Sequence, residues 1–308
     1  MVGSSILKQL KKIKNVKIFT ASRARLNLCN QYEVERYFKR NKFDEVYMAA
    51  ARVGGIKANS DYPAEFLYEN SMIQLNIINS AFISGVKKLL FLGSSCIYPK
   101  NAKQPMVEEE LLNGYLEKTN EPYAIAKISG IKLCQYYTKQ YDVDYRCLMP
   151  TNLYGPEDNF NLDNAHVIPS LLRKFHNSKV MKKNMVEIWG TGKPKREFLH
   201  VADLAKASLK VMSISKKKYS SMMNEDVAHL NVGTGLDISI KNLAILIKEI
   251  VGFEGKIFFN TKMPDGTKRK LLCINKINAI GWKSTIDLKT GLSETYKWYL
   301  DNLKNIRS

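Results

Sequence analysis

Apolar residues recur along the first half of the chain with two different periods. Short apolar runs, typical of strands buried in a parallel sheet, alternate with longer segments whose apolar residues repeat every three or four positions, as on one face of a helix. The predicted strands span residues 16–21, 46–51, 88–93 and 144–149. The predicted helices span residues 4–13, 31–41, 64–84 and 122–140. This alternation predicts an α/β fold with a doubly wound parallel sheet.

The regular alternation loosens after Pro156. The pattern there predicts helices near residues 166–176, 202–214, 239–251 and 286–303, and short strands near 186, 196 and 229–232. The polar segment 216–226 is predicted to be a surface loop. We therefore expect a main α/β domain made of residues 1–160 and 198–232, and a smaller C-terminal substrate lobe made of residues 161–197 and 233–308.

The start of the chain departs from the usual pattern of a dinucleotide-binding fold. In such folds a glycine-rich fingerprint follows the first strand and opens the first helix. Here only its last glycine, Gly3, is present. We therefore expect an N-terminally shortened chain that lacks roughly a dozen residues, including the central first strand of the order 3-2-1-4-5-6. The loss would deprive strands 16–21 and 88–93 of their shared neighbour.

Charge and composition limit the partners and the compartment. The net charge is +19, from 48 Lys and Arg against 29 Asp and Glu, which raises nucleic acid as a partner. The lysines are dispersed over the predicted helices without a nucleic-acid motif, so no specific nucleic acid is predicted. No apolar run of about 18 residues occurs, and the first residues lack the basic and apolar regions that are typical of a signal peptide. Five cysteines without C-x-x-C spacing indicate neither disulfides nor a metal site. We expect a cytoplasmic protein with no membrane partner.

The candidate chemistry begins with Tyr123 and Lys127, which lie one helical turn apart. A lysine ammonium near a phenol lowers the pKa of the tyrosine, which can then exchange a proton with a carbonyl oxygen near neutral pH. The alternative is an ordinary pair on a helix surface. Ser94, where the strand 88–93 ends, completes a Ser/Tyr/Lys set at the edge where parallel sheets bind ligands.

Five motifs extend this set over nearly the whole chain. They are G-S-S-C-I-Y-P from Gly93, N-E-P-Y-A-I-A-K from Asn120, M-P-T-N-L-Y-G-P from Met149, W-G-T-G from Trp189 and R-E-F-L-H from Arg196. Together they resemble the GDP-L-fucose synthase family of extended short-chain dehydrogenases. The resemblance implies a Rossmann-like domain and NADPH-dependent 3,5-epimerisation and 4-reduction of GDP-4-keto-6-deoxy-D-mannose to GDP-L-fucose.

The resemblance also implies roles for five residues. Ser94, Tyr123 and Lys127 match the reductase set, in which the tyrosine protonates the C4 oxygen as hydride arrives. Cys96 and His166 match the pair that removes and returns the protons beside the 4-keto group. Taken singly, a cysteine such as Cys96 is more often a small buried apolar residue, and the alternative for His166 is a cap of the helix that begins there.

The cofactor is predicted to be NADPH. Where NAD enzymes place an acidic residue on the ribose, this chain has Thr20 to Arg25 without an acid, and Arg23 matches the arginine that binds the 2′-phosphate in the family. The alternative is a solvated arginine. The remaining positions that match cofactor contacts are Gly3, Ala49, Ala50, Ala51, Leu92, Gly93, Ser94, Ser95, Lys127, Pro150, Thr151, Asn152, Leu153 and His166.

The positions that match GDP-sugar contacts are Lys174, Trp189, Arg196 and Asp265. At position 174 the family often has arginine, so lysine keeps the charge but loses the bidentate geometry. A homodimer formed through helices 64–84 and 122–140 is also implied. Two alternatives remain: another nucleotide-sugar epimerase or reductase, or a catalytically impaired homologue.

Overall fold

The computed structural model describes residues 1–162 and 165–306. The helices are α1 (Val2–Leu10), α2 (Gln31–Arg40), α3 (Ile56–Asp61), α4 (Pro63–Ile83), α5 (Glu121–Tyr141), α6 (Val167–Val180), α7 (Val201–Ser213), α8 (Lys216–Ser220), α9 (Ile240–Val251), α10 (Asn275–Ala279) and α11 (Leu288–Asp301). The strands are β1 (Glu45–Met48), β2 (Lys88–Leu92), β3 (Asp144–Pro150), β4 (Asn152–Tyr154), β5 (Met185–Trp189), β6 (Lys195–His200), β7 (Leu230–Val232), β8 (Asp237–Ser239), β9 (Lys256–Asn260) and β10 (Arg269–Lys270).

A parallel sheet in the order β1-β2-β3-β7 forms the centre of the main α/β unit. Side chains of β2 alternate between its two faces. Leu89 and Phe91 pack in a core with α2, α4 and α5, whereas Leu90 and Leu92 pack in a second core with α1 and α7. Helices therefore cover both faces, which confirms the predicted doubly wound α/β fold.

The predicted strand 16–21 is wrong, because these residues form no regular element. Val16 and Phe19 are 46% and 39% exposed, so the segment lies over the surface without a sheet neighbour. A strand needs a hydrogen-bonded partner to persist, and within the described residues none lies beside the outer edge of β1. The expectation that strand 88–93 loses a neighbour is also wrong, since β2 pairs with β1 on one side and β3 on the other.

The second half of the chain adds a separate core. Strands β4, β6 and β10 are parallel neighbours, β8 joins β6 antiparallel, and β5 pairs with β9. Helices α6, α9 and α11 pack around this core. The helices and strands predicted here are confirmed, except that the predicted loop 216–226 begins with the short helix α8. The predicted lobes also include residues 163, 164, 307 and 308, which lie outside the described residues.

The described helices include none that combines the length and the apolar character needed to cross a lipid bilayer.

Candidate active site

The site is organised around Lys127, which α5 directs toward the carboxyl end of β2. Pro122 occupies the first turn of α5, where its missing N–H costs no hydrogen bond. One turn further on, Lys127 is only 4% exposed, and its Nζ donates to the Leu92 carbonyl oxygen at 2.9 Å. The ammonium also lies 5.7 Å from the ring centroid of Tyr123. Burial lowers the pKa of Lys127 to about 8, and the nearby Cys96 thiol opposes this shift.

Tyr123 packs edge-to-face on Phe66, with ring centroids 6.3 Å apart. Burial raises the pKa of Tyr123 above its usual value, and the charge of a Cys96 thiolate raises it further. The expectation that Lys127 lowers the pKa of Tyr123 is therefore wrong for this structure, because desolvation of the phenolate dominates the shift. Tyr123 is a neutral phenol near pH 7, suited to donate a proton rather than accept one.

Ser94 and Cys96 lie in the turn that follows β2. Ser94 precedes a single 3₁₀ turn, residues 95–97, and its Oγ accepts a hydrogen bond from the Cys96 backbone N–H at 3.5 Å. Cys96 is 8% exposed. The pKa of its thiol is raised overall, because burial outweighs the opposing effects of Lys270, the Ser94 hydroxyl and Lys127. Ser94, Cys96, Tyr123 and Lys127 thus lie together at one end of the sheet.

His166 comes from a different part of the chain than the residues of this cluster. It immediately precedes α6, and its imidazole makes no capping hydrogen bond to that helix, so the alternative of a side-chain cap is not supported. The residue is exposed, yet the protein around the ring lowers the pKa of His166 by desolvation. No hydrogen bond between described residues joins His166 to Cys96 or Tyr123.

The predicted cofactor positions lie at the carboxyl ends of three adjacent strands. Ala49–Ala51 follow β1, Leu92–Ser95 end and follow β2, and Pro150–Leu153 end β3 and begin β4. A Cβ placed on Gly3 would lie 3.7 Å from the Cβ of Ala49, so the first turn of α1 adjoins the same edge. Parallel sheets bind dinucleotides at this edge, near a helix N-terminus.

Arg23 lies in the surface turn beyond the segment 16–20, with its side chain 93% exposed. Its guanidinium is 3.9 Å from the Glu69 carboxylate, which also pairs with Arg52. Arg52, which directly follows the alanine run, was not predicted as a site residue. Two arginines therefore share one carboxylate beside the predicted cofactor edge.

The four predicted sugar-nucleotide residues form one group on the second core. The Lys174 ammonium lies 5.9 Å from the Trp189 ring centroid, and Trp189 is 59% exposed. Asp265 accepts hydrogen bonds from the Thr191 N–H at 2.8 Å and from the Thr191 hydroxyl at 2.6 Å. Arg196 donates to the Thr267 carbonyl at 2.6 Å.

Lys270 was not predicted from the sequence as a site residue. It lines a recess together with Ser95 and Cys96. Lys268, Arg269 and Lys270 form a basic run, and the sequence alone gives no sign of which of them points inward. The half-buried environment of Lys270 is set by the pairing of β10 with β6, where it lies opposite Arg196.

Comparison with known proteins supports the resemblance read from the motifs. Residues 1–232 match the model of the NAD dependent epimerase/dehydratase family. The GDP-L-fucose synthase of Escherichia coli (strain K12) is 52% identical over 307 residues, which cover 100% of this chain and 96% of that protein.

Two solved structures share the fold over nearly the whole chain. A GDP-6-OMe-4-keto-L-xylo-heptose reductase from C. jejuni is 37% identical, with a TM-score of 0.91 and coverage of 98% of this chain and 95% of that one. An NADP-bound GDP-L-fucose synthetase from Naegleria fowleri is 26% identical, with a TM-score of 0.85 and coverage of 100% and 93%. The chain belongs to the NAD dependent epimerase/dehydratase family and, within it, to the GDP-L-fucose synthases.

Proposed function

We propose that this chain converts GDP-4-keto-6-deoxy-D-mannose to GDP-L-fucose with NADPH, by epimerisation at C3 and C5 followed by reduction at C4. The observation that carries the proposal is the position of Cys96 beside the Ser94, Tyr123 and Lys127 set. A simple ketone reductase has no use for a thiol there, whereas epimerisation next to a ketone needs an additional acid or base.

The residues at the cofactor edge fit NADPH. Lys127 has three N–H donors, and in the described part of the chain only the Leu92 carbonyl accepts one of them. The other two donors are free for ribose hydroxyls. Arg23 supplies an exposed guanidinium for the 2′-phosphate, and the small side chains of Ala49–Ala51 leave room for close approach. When bound, NADPH supplies the hydride for C4.

Tyr123 and Ser94 act on the C4 oxygen. As a neutral phenol, Tyr123 donates its proton to the oxygen as negative charge develops there, and the Ser94 hydroxyl donates a second hydrogen bond. The tyrosinate that remains is stabilised by the Lys127 ammonium, which is already close to the ring. Lys127 therefore acts after proton transfer rather than by ionising the resting tyrosine.

Cys96 and His166 carry the epimerisation. The ketone acidifies the hydrogens at C3 and C5, so a thiolate can remove a proton from one face while an imidazolium returns one to the other. Desolvation lowers the pKa of His166, so the resting ring is neutral near pH 7 and must gain a proton before it can return one to the sugar. Bound substrate lies between the two residues, so that Cys96 faces one side of the sugar ring and His166 the other.

The second core binds the GDP part of the substrate. Arg196 offers a guanidinium to the diphosphate, and the exposed face of Trp189 can cover a ring. Lys174 adds a positive charge beside that indole. Asp265 still has acceptor positions for a hydroxyl, because a carboxylate accepts about four hydrogen bonds and Thr191 supplies two.

The assembly proposed is a homodimer formed through α4 and α5. Tyr68 and Ile83 on α4 are 64% and 65% exposed, and Tyr136 on α5 is 57% exposed. Large exposed apolar side chains on two adjacent helices are typical of an interface.

The five cysteines are all free thiols, which supports the cytoplasm as the compartment.

The test incubates the purified full chain with NADPH and GDP-4-keto-6-deoxy-D-mannose and identifies the product by NMR. We expect GDP-L-fucose formed with one NADPH consumed per product. Tyr123→Phe should abolish turnover, while Tyr115→Phe, at an exposed position, serves as the matched control. Turnover of a different GDP-4-keto sugar alone would favour another reductase of the family, and no NADPH binding would favour a non-catalytic homologue.

A further inference from the structure

The recess beside Cys96 contains a cation that the assigned reaction roles do not use. Ser95, Cys96, Glu117, Arg269 and Lys270 are among the residues that line it. Lys270 is half-buried on β10. In the ranges that the structure describes, its ammonium has neither a salt bridge nor a side-chain hydrogen bond. An ammonium that is partly desolvated and unpaired costs free energy, so its retention points to a use.

The neighbouring charges in the recess are already paired. Lys100 forms a salt bridge with Glu117 at 3.1 Å, and Arg269 pairs with Asp237. Glu117 therefore neutralises Lys270 only partly, and Arg196, on the adjacent strand, repels it. The remaining group beside Lys270 that can carry a negative charge is the Cys96 side chain, in its thiolate form.

Backbone hydrogen bonds fix Lys270 in front of the Cys96 turn. The Met106 N–H donates to the Leu271 carbonyl at 2.8 Å, and the Cys273 N–H donates to the Met106 carbonyl at 2.8 Å. The Gln104 Oε1 accepts from the Leu271 N–H at 2.8 Å. The residues that follow position 270, Leu271 and Cys273, are thus tied to the segment after Pro99, and Lys270 itself pairs with Arg196 of β6, so the backbone of the lysine is held on both sides.

We propose that Lys270 is a positioning residue that favours ionisation of the buried Cys96 side chain when it acts in the epimerisation. The role of Lys270 in epimerisation rests on the proposed function, whereas its effect on the ionisation of Cys96 does not. Of the charged groups around Cys96, Lys270 lowers the pKa of the thiol most, ahead of Lys127. Lys127 faces the reductase side of the site through its bond to Leu92, so the two lysines serve different halves of the reaction.

The effect of Lys270 on the ionisation of Cys96 can be measured directly, without substrate or cofactor. The rate of Cys96 alkylation by iodoacetamide, followed by mass spectrometry of the Cys96 peptide, reports the thiolate fraction at each pH. We expect Lys270→Met to move the midpoint upward by about one pH unit and to slow alkylation at pH 8 about tenfold. Lys270→Arg should restore the profile. The control Lys268→Met, at an exposed position of the same segment, should leave it unchanged.

The profile depends on the other charges that face the thiol and the ammonium, which are Lys127, Arg196, Glu117 and the Tyr123 phenol. These groups are the same in wild type and variant, so the difference isolates Lys270. An unchanged alkylation profile in a Lys270→Met protein that still binds NADPH would overturn the inference. If Lys270→Met does not bind NADPH, Lys270→Gln takes its place in the same comparison.

Turnover separates this inference from the proposed function. In Lys270→Met, exchange of the C3 and C5 protons with D₂O should fall at least about tenfold, while NADPH oxidation per bound substrate is retained because the unepimerised 4-keto sugar is reduced directly at C4. An equal loss of both rates, or a change in KM alone, would assign Lys270 to substrate binding and overturn the positioning role. Failure of the wild-type protein to turn over the GDP-sugar would contradict the proposed function and leave the alkylation result standing.

Discussion

Replacing Lys127 with methionine should stabilise the protein near pH 7 while removing its reductase activity. Lys127 is buried, and burial lowers its pKa from 10.5 to about 8. That shift corresponds to about 3 kcal/mol of unfavourable interaction for the charged form in the folded state. The bond to the Leu92 carbonyl and the contact with the Phe91 ring recover only part of this free energy.

The sign of the pH dependence follows from the two pKa values. Below pH 8 the folded and unfolded chains both carry the proton, so the full cost of the buried charge applies. Between pH 8 and 10.5 the folded chain has released the proton and the unfolded chain retains it, so the stability of wild type rises with pH. The slope approaches about 1.4 kcal/mol per pH unit. Lys127→Met lacks this dependence.

The assay is urea unfolding of both proteins without cofactor at pH 8, 9 and 10. The free energy of unfolding of wild type should gain about 2 kcal/mol relative to Lys127→Met across this range. Lys139→Met, at a side chain 71% exposed on the same helix, controls for the loss of a lysine. Parallel stability curves for wild type and Lys127→Met would show that Lys127 is not held as a destabilised ammonium, and would refute the reasoning.

Three further substitutions test separate parts of the account. Cys96→Ser should abolish exchange of the C3 and C5 protons with solvent but leave reduction at C4. The control Cys273→Ser, at another free thiol, should leave both reactions intact. Retention of proton exchange in Cys96→Ser would show that the thiol takes no part in the mechanism. Arg23→Ala should weaken NADPH binding about 10- to 100-fold, the loss expected for one charge-assisted contact, with little change in NADH binding. Arg25→Ala is the control, and equal losses of affinity for both cofactors in Arg23→Ala would contradict a 2′-phosphate contact. Tyr136→Asp should convert the dimer to a monomer in sedimentation analysis, and an unchanged sedimentation coefficient would move the interface elsewhere.

The elements of the α/β unit could be predicted because their apolar periods are strong and agree with their burial. Helix α5 was predicted over 122–140 and spans Glu121–Tyr141. The segment 16–21 has the same local signal as a strand, and it fails because strand formation depends on a partner that local sequence does not encode. Local pattern therefore predicts the helices better than the edge of the sheet.

The site residues show the same difference between features set by local sequence and features set by distant contacts. Motif spacing brought Ser94, Tyr123 and Lys127 together correctly, because a strand end and one helical turn have nearly fixed geometry. The ionisation of Tyr123 could not be predicted, since it depends on burial by Phe66 and on Cys96. Lys270 comes from a strand that is distant in sequence, and only the pairing of β10 with β6 places it near Cys96.

The most direct test of the central claim is a reaction of the wild-type chain with GDP-4-keto-6-deoxy-D-mannose and NADPH in D₂O. The account predicts GDP-L-fucose that carries deuterium at C3 and C5, from exchange through Cys96 and His166, and protium at C4, from the cofactor. A product reduced at C4 without deuterium at C3 and C5 would contradict the assignment of an epimerising thiol beside Tyr123 and Lys127.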